Sequence, residues 1–207
     1  ENWEFQALLK ARPIAGSAQL GARYARAIDP FVWESAARES FVESVQAMRA
    51  RVTDNIPPHQ VDRQIKLGPG GLRDIEFTVQ LLQLVHGRTD PAVRTKSTVD
   101  SLAALTAVSY ISRTDAETFS RDYKKLRVLE HRIQLQQLRR THLMPEKDAE
   151  QRALARSILS PERHGTLSSE QMLKAWQKIK RNVRSLHERI FFRPLLAAVS
   201  TLSRDEV

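Results

Sequence analysis

The sequence predicts an all-α protein, a helical bundle with one long central helix. Apolar residues recur at spacings of three and four through most of the chain, the period of a buried helix face. No alternating strand pattern of useful length and no internal repeat interrupts them. Residues 112–143, SRTDAETFSRDYKKLRVLEHRIQLQQLRRTHL, run for about thirty positions without Pro or Gly, and Phe119, Tyr123, Leu126, Leu129 and Ile133 supply their apolar stripe. That segment is the expected spine of the bundle.

The other elements follow in chain order. Trp3, Leu8 and Leu9 open a short helix that should end near Pro13, and SAQLGARYARAI after Gly16 reads as a second. From Pro30 a longer helix is expected through Trp33, Ala37, Phe41, Val45 and Met48, fading by Asp54. The prolines and glycines of IPPHQVDRQIKLGPGG then impose a loop of about fifteen residues, long enough to suggest a function. Leu72, Ile75, Val79, Leu82 and Val85 mark the next buried stripe, with Arg73, Glu76, Gln80 and Gln83 beside it and Gly87 as its stop. STVDSLAALTAVSY is a short helix with Ser97 or Thr98 as N-cap. After the spine come a turn at MPEKD, a short helix over 149–159, a break at PERHG and a last long helix from about Ser168 to Phe192.

Composition limits the chemistry. With 207 residues and 41% apolar content there is enough material for a real core. The absence of cysteine excludes disulfides, zinc–thiolate sites and thiol nucleophiles, and suits a cytoplasmic protein. No apolar run approaches the roughly 18 residues needed to span a bilayer. The opening ENWEFQALLKAR lacks an initiator Met and begins inside a helix pattern, as a piece of a longer protein would. The net charge of +9 is mostly arginine on solvated helix faces, most concentrated at Arg127, Arg132, Arg139, Arg140 and His142. No basic region interleaved with aromatics accompanies it, so nucleic-acid binding is not expected.

The strongest local signal is QIKLGPGGLRDIEF at residues 64–77, which places three of the seven glycines around Pro69 before a helix. A Gly-rich helix start can present backbone N–H groups and the positive end of the helix dipole to a phosphate, and it can equally be a turn that allows close packing. It is not a Walker A loop, since no Gly-Lys-Ser/Thr follows. Asp74 and Glu76 are two apart, hence about 200° apart on a helix, and cannot share a face; as helix N-terminal acids they complement the macrodipole. The six histidines lie at 59, 86, 131, 142, 164 and 187 without metal-ligand spacing. Glu130 falls on the apolar stripe of the spine, where a buried acid needs a partner. Arg127 or Arg73 could supply it.

IKLGPGGLRDIEFTVQLLQLVHG resembles the signature of the bacterial glutamine synthetase adenylyltransferase family, the bifunctional adenylylating and adenylyl-removing enzyme. WEFQALLKARPIAG is similar to the segment in which that family leaves its nucleotidyltransferase fold, and YKKLRVLEHRIQLQQLRRTHLMP to the long helix of its helical domain. The related PII uridylyltransferase carries a similar Gly-Gly-Leu-Arg-Asp segment, and the LEHRIQ and RTHLMP stretches favour the glutamine synthetase enzyme. The resemblance implies that residues 1–29 are the tail of a preceding nucleotidyltransferase domain and 30–207 a helical domain, from the adenylyl-removing half.

It further implies Mg2+ and ATP or ADP in the full-length enzyme, with the metal carboxylates outside this chain, which alone would be inactive and bind neither. Phosphate or nucleotide contact would fall to Lys66, Gly68, Gly70, Gly71 and Arg73. Asp74, Glu76, Glu130 and Arg127 would serve a domain interface or support the site. Glutamine synthetase, the PII signalling protein and the upstream nucleotidyltransferase domain are the implied partners. An interaction module binding PII or glutamine synthetase through the basic spine face, the related PII uridylyltransferase, and a nucleic-acid-binding helical domain are the alternatives.

Overall fold

The computed structural model describes residues 2–160 and 165–192. The break expected at 161–165 and the end of the 30–207 domain therefore lie partly outside the described residues. Eight α-helices are described: α1 (Asn2–Leu8), α2 (Ala18–Trp33), α3 (Phe41–Asp54), α4 (Leu72–His86), α5 (Thr98–Ala107), α6 (Arg113–Gln137), α7 (Asp148–Ser157) and α8 (Ser169–Phe191). The described residues include two strands of two residues each, β1 (Leu159–Ser160) and β2 (Gly165–Thr166), which pair antiparallel. The all-α class is as the periodicity predicts.

The chain forms two compact units. The first takes in residues 1–51, 76–116 and 189–207; the second takes in 52–75 and 117–188.

In the first unit the expected helix start at Pro30 is wrong. Helix α2 continues through Pro30 to Trp33, a single 3₁₀ turn follows at Ser35–Ala37, and α3 begins only at Phe41. The expected boundary between residues 29 and 30 thus falls within one continuous helix. A proline in a helix interior costs about 3 kcal/mol. Directly after it, Val32 and Trp33 are buried, and each such side chain returns about 1.5–3 kcal/mol on leaving water. Tertiary burial overrides the local breaker. Ser40, at φ 52, makes the reversal into α3. Ser17 caps α2 by accepting from Leu20 N at 3.3 Å, and Ser97 caps α5 by accepting from Asp100 N at 3.4 Å.

Helix α4 buries Leu72, Ile75, Val79, Leu82 and Val85 as its period requires. Two of the four residues on the neighbouring polar stripe are buried as well. Gln80 Oε1 accepts from Gln6 Nε2 at 2.7 Å, and Gln83 Nε2 donates to the carbonyls of Val93 and Thr95 at 2.7 and 2.9 Å. These bonds offset part of the cost of burying the two amides, while Gln83 Oε1 is buried without a hydrogen-bond partner. The helix ends at His86. A Cβ on Gly87 would stand 2.6 Å from the Trp33 ring, so the residue that stops the helix also makes room for that indole.

The second unit is built around α6, the longest described helix at 25 residues. Phe119, Leu126, Leu129 and Ile133 are buried along it, and Tyr123 is half-buried. It stops at Gln137, short of the expected Leu143, without help from Gly or Pro. Leu138 takes φ 49 and Arg139 N donates to Gln134 O at 3.3 Å, the hydrogen bond of a Schellman cap. Within this unit α8 buries Met172, Trp176, Ile179, Val183 and Leu186 at alternating spacings of four and three.

Candidate functional site

The Gly-rich segment and two stretches of the spine sequence meet in the second unit. Residues 63–65 run antiparallel to 142–144: Ile65 N donates to His142 O at 3.0 Å, Met144 N donates to Arg63 O at 2.8 Å, and Gln64 bridges Leu143. Arg63 adds a bond from Nε to Met144 O at 2.9 Å and an ion pair with Glu146. The extended strip RTHLMP is thereby fastened beside the entrance to the Gly-rich turn.

Glu130 joins all three segments. It is buried, and its Oε1 accepts from Lys66 Nζ at 2.9 Å while its Oε2 accepts from Arg127 Nη1 at 2.6 Å. His142 Nδ1 lies 3.4 Å from Oε1 without hydrogen-bond geometry. Burial alone would raise the Glu130 carboxyl. Lys66 foremost, with Arg127 and His142, outweighs that and holds it below the usual carboxylate range. Burial together with the positive charge of Lys66, Arg140 and Arg73 lowers His142 against the pull of Glu130, which keeps the imidazole neutral near pH 7. One carboxylate therefore faces several cations, and the cluster carries surplus positive charge. Arg127, named from the sequence as a partner for Glu130, is one; Lys66 is the other, in a role that sequence reading missed.

The turn itself is tightly determined. Gly70 has φ +75, and a Cβ there would come within 2.8 Å of Lys180 Cα, in α8. Gly71 and Gly68 are hemmed in by the backbone of residues 61–68. The amides that a helix start could offer to an anion have acceptors within the segment. Gly70 N donates to Asp74 Oδ2 at 2.6 Å, Gly71 N to Gly68 O at 3.0 Å, Leu72 N to Ile65 O at 3.2 Å, Arg73 N to Lys66 O at 2.9 Å and Asp74 N to Gly71 O at 3.2 Å. Side chains, not these amides, are what the loop presents: Lys66 and Arg73 are both partly exposed.

Asp74 is buried in the first turn of α4 and, besides accepting from Gly70 N, stands 3.6 Å from His187 Nε2. Glu76 lies in the first unit, close enough to Lys10 to raise its pKa, though burial leaves the lysine lowered overall. Another buried acid, Asp122, escaped sequence reading. It accepts from Arg121 Nε at 2.9 Å and Asn182 Nδ2 at 3.1 Å. Its position three after Phe119 and four before Leu126, on the buried stripe, was the available signal.

Among the described residues no group of three His, Asp or Glu side chains could hold a metal ion, and no helix is long and apolar enough to cross a membrane. The donor set among the described residues does not fit Mg2+.

A Gly-rich turn bolted by a lysine–glutamate pair to the longest described helix of an all-α chain is the helical arrangement toward which the sequence resemblance points. The chain belongs to the family described as GlnD PII-uridylyltransferase, whose profile matches residues 46–191. It is also homologous, end to end, to part of proteins named bifunctional glutamine synthetase adenylyltransferase/adenylyl-removing enzyme. Identity is 58% over 206 residues with that of Leifsonia xyli subsp. xyli and 54% over 206 residues with that of Streptomyces coelicolor, covering all of this chain and 20% of each relative. With that of Mycobacterium tuberculosis it is 50% over 204 residues, 96% of this chain and 20% of the relative. The chain spans about a fifth of the length of the curated relatives it matches.

Proposed function

We propose that this chain is the helical domain of an enzyme that controls glutamine synthetase by adenylylating a tyrosine and removing the AMP by phosphorolysis, and that it belongs to the adenylyl-removing half. The observation that carries the enzyme assignment is the 58% identity across the whole chain with a relative of that name, and the EHRIQ and THLMP wording supports the adenylyl-removing half. On this reading residues 1–29 are the tail of a nucleotidyltransferase domain and 30–207 the helical domain, with α2 continuous across the boundary. The upstream domain brings the carboxylates that hold Mg2+ and the site for ATP or ADP. Glutamine synthetase and PII are the partners, in the cytoplasm.

Within this assignment, Lys66 and Arg73 meet phosphate or the AMP phosphate through their side chains. Gly68, Gly70 and Gly71 shape the turn that carries them. Glu130 and Arg127 fix the lysine from behind, and Asp74 and Glu76 brace the helix start at the domain interface. The surplus positive charge around Glu130 favours an anion at this place.

The test uses full-length enzyme. Arg73→Ala should slow adenylyl removal by about ten- to a hundredfold, the rate equivalent of a charge-assisted contact of roughly 1.5–3 kcal/mol, and leave ATP-dependent adenylylation near normal with an unchanged melting temperature. Collapse of adenylylation instead would move the chain to the other half. Unchanged rates in both directions would remove phosphate contact from Arg73.

A further inference from the structure

The cap that ends α6 is built on an apolar side chain that the cap itself does not require. Leu138 occupies the left-handed position after the helix, φ 49, where glycine or asparagine is favoured, and its side chain is 87% exposed. An apolar side chain is thus held in a disfavoured backbone conformation without gaining burial. It lines a groove of about 420 Å³ with His131, Gln134, Leu135, Arg139 and Arg140, none of them acidic. Leu135 is 63% exposed, and Arg132 stands exposed one helical turn before Gln136.

We propose that this groove docks an acidic segment bearing an apolar side chain, supplied by the same polypeptide outside these 207 residues. Charge decides the chemistry. Two leucines flanked by Arg132, Arg139 and Arg140 fit an apolar anchor set between carboxylates, and repel a basic segment. Size decides the source. Six lining residues are far fewer than the roughly 20–30 a side that a stable association between free proteins uses, whereas a tethered segment acts at an effective concentration in the millimolar range. Four-fifths of each curated relative lies outside the matched region, so such a tether has ample chain to draw on.

The experiment uses purified full-length protein with a photo-crosslinking leucine analogue at position 138. Crosslinks within one polypeptide, to a segment where acidic residues flank an apolar one, are expected. In parallel, Leu138→Gly suits the left-handed backbone and should melt no lower than the parent. It should nevertheless raise amide exchange in the crosslinked segment, and Arg139→Glu with Arg140→Glu should raise it by roughly three- to tenfold, the scale of losing one or two exposed ion pairs. Crosslinks between two copies, crosslinks confined to α6 and its own cap, or exchange that none of the variants changes would each overturn the proposal.

Discussion

Lys66 Nζ donates to Glu130 Oε1 at 2.9 Å across 64 positions of sequence. This bond ties the entrance of the Gly-rich turn to the middle of α6, and Arg127 holds the second carboxylate oxygen from one helical turn away.

Removing the carboxylate leaves these two cations facing each other. Because Lys66 and Arg127 are both partly exposed, solvent softens the penalty, and Glu130→Ala should cost about 1–3 kcal/mol. Urea denaturation of single and double variants measures it. Lys66→Met combined with Glu130→Met should be less destabilising than Glu130→Ala alone, and strict additivity would mean the pair is not coupled.

The same carboxylate predicts an acid response. Its pKa is lowered in the folded state relative to about 4.3 in the unfolded chain, so its contribution is present above that value and is lost as pH falls through the lower folded value. Urea midpoints between about pH 6 and pH 3 should decline. Glu130→Gln should flatten part of that decline, and an identical slope in the variant would assign the acid sensitivity elsewhere.

Two glycines with positive φ should respond differently to alanine. Gly16 has φ +90 and open space where a Cβ would go, so Gly16→Ala carries only backbone strain, about 1 kcal/mol. Gly70→Ala adds a collision with the backbone of α8 at Lys180 and should cost about 2 kcal/mol or more beyond that. Thermal melts of the two variants decide it, and equal losses would deny the close approach at Gly70.

If the metal carboxylates lie upstream, this chain alone has no route to phosphorolysis. Incubated with adenylylated glutamine synthetase, phosphate and magnesium, it should release no ADP, while circular dichroism should show a helix-dominated spectrum. Turnover by the isolated chain would contradict the proposed division of labour.

The sequence by itself determined the helical class and most of the helices. Burial on one face of a helix repeats every three to four residues whatever the neighbouring element is, and Leu72 to Val85 and Phe119 to Ile133 display that repeat. Capping is equally local, and Ser97 and Gly87 were legible for that reason. Glu130 was legible as an acid needing a partner, and Arg127, three residues away, as one that could reach it. Tertiary structure alone decided the rest. Nothing local to Pro30 reveals that burying Trp33 carries α2 through it, and nothing local to Leu138 ends α6 there. Pairing Lys66 with Glu130, committing the amides of 70–74 to internal acceptors and pressing Gly70 against Lys180 all depend on segments far apart in the chain. Sequence periodicity fixes which face of a helix is buried, but only the folded backbone brings distant segments within hydrogen-bonding distance, because those bonds fall off over about an ångström and leave no period to read.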